Sequence, residues 1–497
     1  MGHEIELKFL IPEEAVETIL ARFPDQPAVR QLDAVYYDTV DHALGRRGFG
    51  LRIRDGEGGR KQTLKSASAG GVFTRGEWES RVEGPEPDRR LLDDTPAARV
   101  LNGAPLGPVF AVRVERLIWL VEQGDATIEA ALDRGVLTAG DRRAEVCELE
   151  LELKAGPPAA LFDLARDLAA HAPLRLSLVS KAERGYALAL DDGDQNRPGI
   201  ARDGPALDPD MTAGQALQAL GRSALARLCA DGEGLRERQD SEGLHRLRVA
   251  ARRFRALFPV FRSLADDEAA HGVQAGLKWL AGALGPARDL DVFIDQVGSD
   301  DARAHTEALA AFSKALVDAR SEAYDRAMAA LDSARYRALT LEAAAWLEAG
   351  SWLTAHDRAK VRDGAATALA RKALDKRRRT ILKRGKHLAA LDPAARHAVR
   401  IKSKVLRYAA EDLAPLFPEH PRRAARFIDA VKALQDTLGA LNDLIARAAL
   451  ARAVVLASDD ARVAVGAGQL TAPGSESRLM PAALEAFDVF AGARPFW

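Results

Sequence analysis

At 497 residues, 47% hydrophobic and 29% charged, the chain has the length of two to four globular domains and an ordinary globular composition, which excludes disordered and collagen-like classes. Its two cysteines, Cys147 and Cys229, exclude a disulfide framework or a Cys-rich zinc site. The net charge of −1 hides an asymmetry: residues 1–200 hold 26 Lys+Arg against 34 Asp+Glu, and residues 201–497 hold 45 against 38.

No apolar run approaches the ~18–20 residues of a membrane span. Met1-Gly-His-Glu-Ile-Glu does not read as a secretory leader, so a soluble, cytoplasmic protein without membrane contact is expected. Period-two alternation predicts strands over 4–9, 50–54, 62–65, 75–83, 111–121, 127–133 and 147–154. Helical spacing marks only 12–22 and 158–171 in this half. A stretch rich in Asp, Gly and Pro from Asp191 to Asp210 then reads as a linker. Beyond it the period becomes 3.6, with a loose tail from Gly466 to Ser477 and a last short helix over 479–490. Phe496 and Trp497 are placed to pin the C-terminus to the helical core.

The helical half repeats itself. His245-x-x-Arg248-x-x-x-Arg252-x-x-Arg255 returns 152 residues later as His397-x-x-Arg400-x-x-x-Lys404-x-x-Arg407. Leu284-Gly-Pro-Ala-Arg-Asp289 is likewise echoed by Leu438-Gly-Ala-Leu-Asn-Asp443. Two ordered echoes at nearly one offset predict two related helical bundles.

In a strand, residues two apart share a face. Glu4, Glu6 and Lys8 therefore point one way, as do Arg52 with Arg54, Thr63 with Lys65, Glu129 with Asp133, and Glu148, Glu150 with Glu152. Solvation of an outer sheet face would explain any one of these strands. So many together favour a closed barrel with a charged interior, and buried charge needs partners or a ligand. Carboxylates without a His/Cys set suit a hard cation such as Mg²⁺ or Mn²⁺, while Arg and Lys suit phosphate oxygens. That combination is the equipment of phosphoryl transfer, and no Gly-x4-Gly-Lys-Ser/Thr loop is present. On a helix, offsets of 0, 3, 7 and 10 make one stripe, so the twinned His/Arg motifs are two basic stripes. The segment 371–387 adds nine Lys/Arg against Asp375, with Lys372, Lys376, Arg379 and Lys383 on one face. A solvated, salt-bridged face is the alternative for each, but gives no reason for a residue-by-residue repeat. Aromatic residues do not interleave with these stripes, which argues against nucleic acid bound by base stacking.

Glu4-Ile-Glu-Leu-Lys8 matches the Glu-x-Glu-x-Lys signature of the CYTH superfamily, the triphosphate tunnel metalloenzymes. Tyr36-Tyr-Asp-Thr, Leu51-Arg-Ile-Arg54, Arg113-Val-Glu-Arg116, Ala131-Leu-Asp-Arg-Gly135, Cys147-Glu-Leu-Glu-Leu-Glu-Leu153 and Ser180-Lys-Ala-Glu-Arg184 extend the likeness over 1–190. The resemblance implies an eight-stranded antiparallel β tunnel with flanking helices, binding a linear triphosphate with Mg²⁺ or Mn²⁺. It further implies metal ligation by Glu4, Glu6, Glu148 and Glu150, with Asp133 and Glu152, and phosphate binding by Lys8, Arg52, Arg54, Lys65, Arg113, Arg116, Lys181 and Arg184. Catalysis would fall to Glu4, Glu6, Lys8, Glu148 and Glu150, the choice of base being open. Arg75, Glu77, Glu79 and Arg81 fit the inward parity without a specific role.

The twinned stripes resemble the CHAD domain, a helical domain with conserved histidines. This implies an all-α domain of two pseudo-symmetric four-helix bundles that binds inorganic polyphosphate through His245, Arg248, Arg252, Arg255, His397, Arg400, Lys404 and Arg407. Lys404 departs from Arg252, and Asn442 stands where Arg288 does. The expectation is thus a two-domain α+β protein: 1–190 a triphosphate tunnel, 191–211 a linker, 212–490 a helical polyphosphate binder. The expected reaction is hydrolysis of inorganic triphosphate to diphosphate and phosphate. Alternatives are a nucleotide or thiamine triphosphatase or adenylate cyclase of the same fold, and a non-catalytic polyphosphate-binding scaffold.

Overall fold

A computed structural model describes residues 5–56, 59–66, 76–190, 205, 207–300, 306–470 and 476–497. Two compact units are present, one centred on the N-terminal sheet and one on the helices that follow it. Among the described residues no helix is long and apolar enough to cross a membrane.

The first unit holds strands β1 (Ile5–Leu10), β2 (Ala28–Asp38), β3 (Gly50–Asp55), β4 (Lys61–Lys65), β5 (Glu77–Arg81), β6 (Gly107–Gln123), β7 (Ala126–Ala139), β8 (Arg142–Ala155) and β9 (Arg175–Leu176). They form one sheet in the order β5-β4-β3-β2-β6-β7-β8-β1-β9, antiparallel at every ladder. The sheet has nine strands rather than the eight expected, because the two-residue β9 pairs with the end of β1. Two-residue turns join β6 to β7 and β7 to β8. Each begins with a glycine at positive φ, +59° at Gly124 and +56° at Gly140, as a type II′ hairpin requires.

Short helices α1 (Val16–Leu20), α2 (Ala43–Arg46) and α3 (Ala97–Leu101), with α4 (Pro158–His171) and α5 (Lys181–Ala189), cover this sheet. The alternation seen in the sequence now has a direction. Leu7, Phe9, Leu132, Leu149 and Leu151 are buried on the outer face, where α4 packs on β7 and β8. Leu51, Ile53 and Leu64 are buried on the same face with Leu44, Leu92 and Leu101 of the covering segments. The inner face is divided: Phe110, Val112, Val114, Leu137 and Val146 form an apolar floor with Tyr36 and with Tyr186 of α5, and the rest is charged. Close contact of α5 with that floor depends on Gly185, where a Cβ would stand 2.1 Å from the Phe110 ring.

The helices that follow are α6 (Ala213–Arg238), α7 (Ser241–Val260), α8 (Glu268–Ala283), α9 (Gly285–Asp300), α10 (Glu307–Asp332), α11 (Ala334–Ala349), α12 (Ala359–Arg362), α13 (Ala366–Gly385), α14 (Pro393–Leu413), α15 (Pro421–Leu456), α16 (Ala461–Leu470) and α17 (Glu476–Gly492). They make up the second unit, except that Leu225–Ala230 of α6 and the stretch Arg337–Gly350, most of α11, group with the first. Side-chain caps start the helices that bear the motifs: Asp240 accepts from Gly243 N before α7, and Asp392 from Ala395 N before α14. The repeat is structural, since α7 packs on α8 and α9 as α14 packs on α13 and α15, and α7 meets α14. The tail expected to be loose from Gly466 is helical through Leu470. There α16 lies so close to α10 that a Cβ on Gly466 would stand 2.2 Å from Ala308 O. Phe496 is fully buried against Phe417 and Phe427, and Trp497 Nε1 donates to Asp375 Oδ1 at 2.9 Å, which pins the C-terminus as expected.

Candidate functional site

Ladder register places the charged residues of the first unit on one face. Lys8 lies opposite Glu150, Arg116 opposite Asp133, and Asp133 opposite Glu148. Opposite residues of an antiparallel pair project from the same face, so β1, β6, β7 and β8 bring these groups together. A capping box of Ser180 and Glu183 starts α5 beside them. The offset of three then sets Lys181 and Arg184 on one side of its first turns.

The result is a dense ion-pair network. Arg116 donates to both oxygens of Asp133 at 2.6 Å and to Glu150 Oε2 at 2.5 Å. Lys181 Nζ lies 2.6 Å from Glu148 Oε2, 2.8 Å from Asp133 Oδ2 and 2.9 Å from Glu150 Oε1. Lys8 Nζ reaches Glu150 Oε1 at 3.2 Å, and Arg184 bonds Glu148. The side chains of Asp133 and Glu148 are fully enclosed, where unpaired charge would be very costly. Burial alone would raise Glu148, but Lys181, Lys8 and Arg184 hold it below the usual carboxylate range. The same contest, decided by Lys181, Lys8 and Arg116, holds Glu150 well below it. Burial likewise works against protonated Lys181, but Glu150, Glu148 and Asp133 raise its pKa. Four cations thus face three carboxylates.

Further along the same face stand Arg52 and Arg54 of β3, Lys61 and Lys65 of β4, and Glu77, Glu79 and Arg81 of β5. Lys61 pairs with Glu79 at 2.6 Å, Arg54 with Glu79 at 3.5 Å, and Lys65 with Glu77 at 3.4 Å. At the other end Glu6, Glu152 and Glu129 are successive register partners, and Lys154 lies 2.7 Å from Glu152 and 3.7 Å from Glu129. Arg113 is the exception. Three residues from Arg116, it falls on the opposite face, largely exposed, 3.4 Å from Asp33; strand parity removes it from the charged inner face. Glu4 and Arg75 lie outside the described residues. Cys147 faces away from the network, and burial together with Glu13 pushes its thiol up to about 11, which disfavours the thiolate.

The described carboxylates do not by themselves make a divalent-cation site. Asp133, Glu148 and Glu150 spend their oxygens on Lys8, Arg116, Lys181 and Arg184. Among the described residues no three His, Cys, Asp or Glu side chains are grouped to hold a metal.

In the helical unit the two basic stripes converge where α7 meets α14. Arg248 Nη1 donates to the carbonyls of Leu284 and Gly285 at 2.9 and 2.8 Å, and its Nη2 lies 3.9 Å from Asp289. Arg400 repeats this, 4.0 Å from Asp443 and packed against Gly439, where a Cβ would stand 3.4 Å from its Nη2. The Leu-Gly echo thus marks where each arginine lies against helical backbone. Burial, with the charges of Arg400, Arg252 and Arg248 adding to it, lowers Lys404 to about 8. The Nε atoms of Arg252, Arg400 and Arg407 are shielded and have no hydrogen-bond partner.

The copies are not equal. His397 Nδ1 is 2.6 Å from Asn442 Oδ1, whereas burial and then the charge of Arg288 depress His245. Arg255 is exposed at the stripe's end, and Arg407 is drawn 3.4 Å from Glu411. Arg253, outside the spacing pattern, ties α7 to α14 through Glu411 and Asp412. The 371–387 run is partly structural. Arg378 bonds the carbonyls of Ala491 and Ala493, and Arg371 lies over Phe417, while Lys372, Lys376, Arg379 and Lys383 are exposed.

Residues 2–186 match the CYTH domain and residues 219–452 the CHAD domain. The chain is a CYTH–CHAD protein. It is 34% identical over 195 residues to the inorganic triphosphatase of Haemophilus influenzae, a match covering 38% of this chain and about half, 55%, of that protein. An uncharacterized protein of Mycobacterium tuberculosis is 28% identical over 438 residues, 82% of each chain. The crystal structure of the CHAD domain from the plant Ricinus communis superposes with a TM-score of 0.51 at 27% identity, covering 59% of this chain and 96% of that one.

Proposed function

We propose that the sheet domain hydrolyses inorganic triphosphate to diphosphate and phosphate, and that the helical domain binds inorganic polyphosphate. The observation that carries the first half is the enclosed cluster of Lys8, Arg116, Lys181 and Arg184 on Asp133, Glu148 and Glu150. Phosphoryl transfer needs positioned charge more than covalent chemistry. Lys8, Arg52, Arg54, Lys65, Arg116, Lys181 and Arg184 supply that charge from β1, β3, β4, β6 and α5. Likeness to a triphosphatase over the CYTH part supports the same reading.

A divalent metal belongs to the reading through the CYTH resemblance. Glu6 and Glu152, register partners across β1 and β8, lie outside the Lys8, Arg116, Lys181 and Arg184 network, with Glu152 paired to Lys154, and Glu4 precedes Glu6 by two residues. No step derived from the geometry runs through the metal. Lys8, Glu148 and Glu150 act here by holding opposite charges ready for exchange with the substrate.

For the helical half, the shielded Nε groups of Arg252, Arg400 and Arg407, without partners, support an anion as the missing partner. Inorganic polyphosphate offers such oxygens along its whole length.

Phosphate release from tripolyphosphate, ATP and thiamine triphosphate, each with Mg²⁺ or Mn²⁺, tests the substrate. Tripolyphosphate is expected to be cleaved best. Preference for ATP, or production of cyclic AMP, overturns the assignment; absence of any turnover leaves the polyphosphate-binding scaffold.

A further inference from the structure

The β3–β4–β5 end of the inner face carries more positive charge than its own ion pairs close. Ladder register lines up Arg54 of β3, Lys61 of β4 and Arg81 of β5 as successive cross-strand partners. Residues directly opposite in an antiparallel pair project from one face, and like charges so placed repel. Two such pairs follow one another here. Adjacent strands lie about 4.8 Å apart, so the row sets three cations over roughly 10 Å.

One carboxylate answers all three. Glu79 stands two residues before Arg81 on β5, on the same face. It lies 2.6 Å from Lys61 Nζ and 3.5 Å from Arg54 Nη2, and it accepts from Thr63 Oγ1 at 3.3 Å. The Arg81 side chain is exposed and has no ion pair or hydrogen bond among the described residues. In the enclosed cluster four cations face three carboxylates; here three face one. The side chains of Arg54, Lys61 and Glu79 are 26, 35 and 31% exposed, so an anion can reach them while they stay partly shielded from water. Neither Lys61 nor Arg81 belongs to the motifs that carry the CYTH likeness. A solvated sheet margin gives no reason to set three like charges in line, whereas a chain of linked anions does.

We propose that Arg54, Lys61 and Arg81 form an outer phosphate subsite, which takes the additional phosphates of linear polyphosphates longer than the triphosphate. The inference rests on the triphosphate reading of the enclosed cluster and extends it outward. Arg54 belongs to both regions, because it follows Arg52 by two residues on the same face of β3. An arriving phosphate replaces Glu79 on Lys61 and Arg54, and on Arg81 it displaces nothing.

Tetrapolyphosphate compared with tripolyphosphate, in excess Mg²⁺ and at fixed ionic strength, tests the subsite. The readout is KM, or Ki where the longer chain binds without being cleaved. The wild type is expected to bind the longer chain more tightly. Lys61→Ala combined with Arg81→Ala should weaken tetrapolyphosphate about tenfold, the scale of two half-exposed charge contacts, and tripolyphosphate by no more than about twofold. Glu79→Gln removes the resident counterion and should tighten tetrapolyphosphate, a change of sign that general damage to the fold does not produce. Arg81→Ala alone breaks no ion pair, so it keeps the test open if the double variant loses stability; it must still weaken the longer chain selectively. Equal losses for both chains, or unchanged tetrapolyphosphate binding in Arg81→Ala, overturns the outer subsite. If the wild type neither hydrolyses nor binds tripolyphosphate, the triphosphate reading fails along with this inference. Wild-type turnover of tripolyphosphate without a selective loss in these variants removes the outer subsite alone.

Discussion

Lys181 Nζ stands 2.6 Å from Glu148 Oε2, the ammonium near the start of α5 and the carboxylate fully enclosed on β8. Asp133 and Glu150 complete the acidic side of this contact. Replacing Lys181 by Met removes the one ammonium shared by three carboxylates in a shielded site. A loss of about 3–5 kcal/mol in unfolding free energy at pH 7 is expected. Glu148 and Glu150 have depressed folded pKa values, so their stabilisation is present above the unfolded carboxylate pKa and fades as pH falls through the folded one. The deficit of Lys181→Met should therefore narrow on acidification, as these carboxylates take up protons. Denaturant melts of both proteins from pH 7 to pH 4 check this, and a deficit that widens contradicts it.

Arg113 and Arg116 sit three residues apart on β6 and project from opposite faces. Arg113→Ala is expected to leave stability within about 0.5 kcal/mol, as for other exposed pairs, and tripolyphosphate turnover within about twofold. Arg116→Ala, which takes the guanidinium from Asp133 and Glu150, should lower kcat/KM by about a hundredfold or more, on the scale of losing one preorganised donor to developing charge. Steady-state kinetics of the pair decide it, and equal effects would refute the face assignment.

Charge reversal at Arg248, Arg252, Arg400 and Lys404 is predicted to abolish binding of long-chain polyphosphate while tripolyphosphate hydrolysis continues. Titrations at fixed ionic strength are required, because each phosphate contact adds to the salt dependence. Polyphosphate bound as tightly by the variant as by the wild type would remove the site from α7 and α14.

Lys404 makes that binding depend on pH. With its folded pKa lowered to about 8, it is charged at pH 7 and largely neutral at pH 9. Arg248, Arg252, Arg400 and Asp443 surround it. Affinity for polyphosphate should therefore fall from pH 7 to pH 9, with proton uptake on binding at pH 8. Lys404→Arg should flatten the profile, and a variant that keeps the slope places the titrating group elsewhere. The linkage runs the other way for stability: the unfolded chain binds the extra proton between the two pKa values, so this residue's contribution to stability increases with pH there.

Chelation provides a separate test of the metal reading. EDTA should end tripolyphosphate hydrolysis, with recovery on adding Mg²⁺ or Mn²⁺, and leave polyphosphate binding intact. Full turnover in EDTA would detach the metal from the chemistry.

Much of this arrangement is legible in residue order. Alternation in 4–9 and 147–154 separates charged from apolar faces without any knowledge of the fold, and the His/Arg twins announce two related halves. Parity alone excludes Arg113 from the face of Arg116, because residues three apart in a strand cannot share a face. Other features need register or tertiary contact. The position of the Tyr36 ring depends on the register that sets it opposite Arg52 and on stacking against Phe110, 74 positions away. A strand as short as β9 leaves no period to detect. Nor does composition tell which arginines of 371–387 are committed to the fold: Arg378 is, through carbonyls more than a hundred residues distant.

The paired interior of the sheet domain behaves as an ion exchanger. Lys8, Arg116, Lys181 and Arg184 already hold carboxylates as resident counterions, so an anion entering among them must displace several residents at once. A ligand carrying only two charges, such as orthophosphate, cannot complete that exchange, whereas a chain of three phosphates can. Under the proposed triphosphatase function, discrimination by chain length and easy departure of the smallest product would then follow from the resting state of the protein.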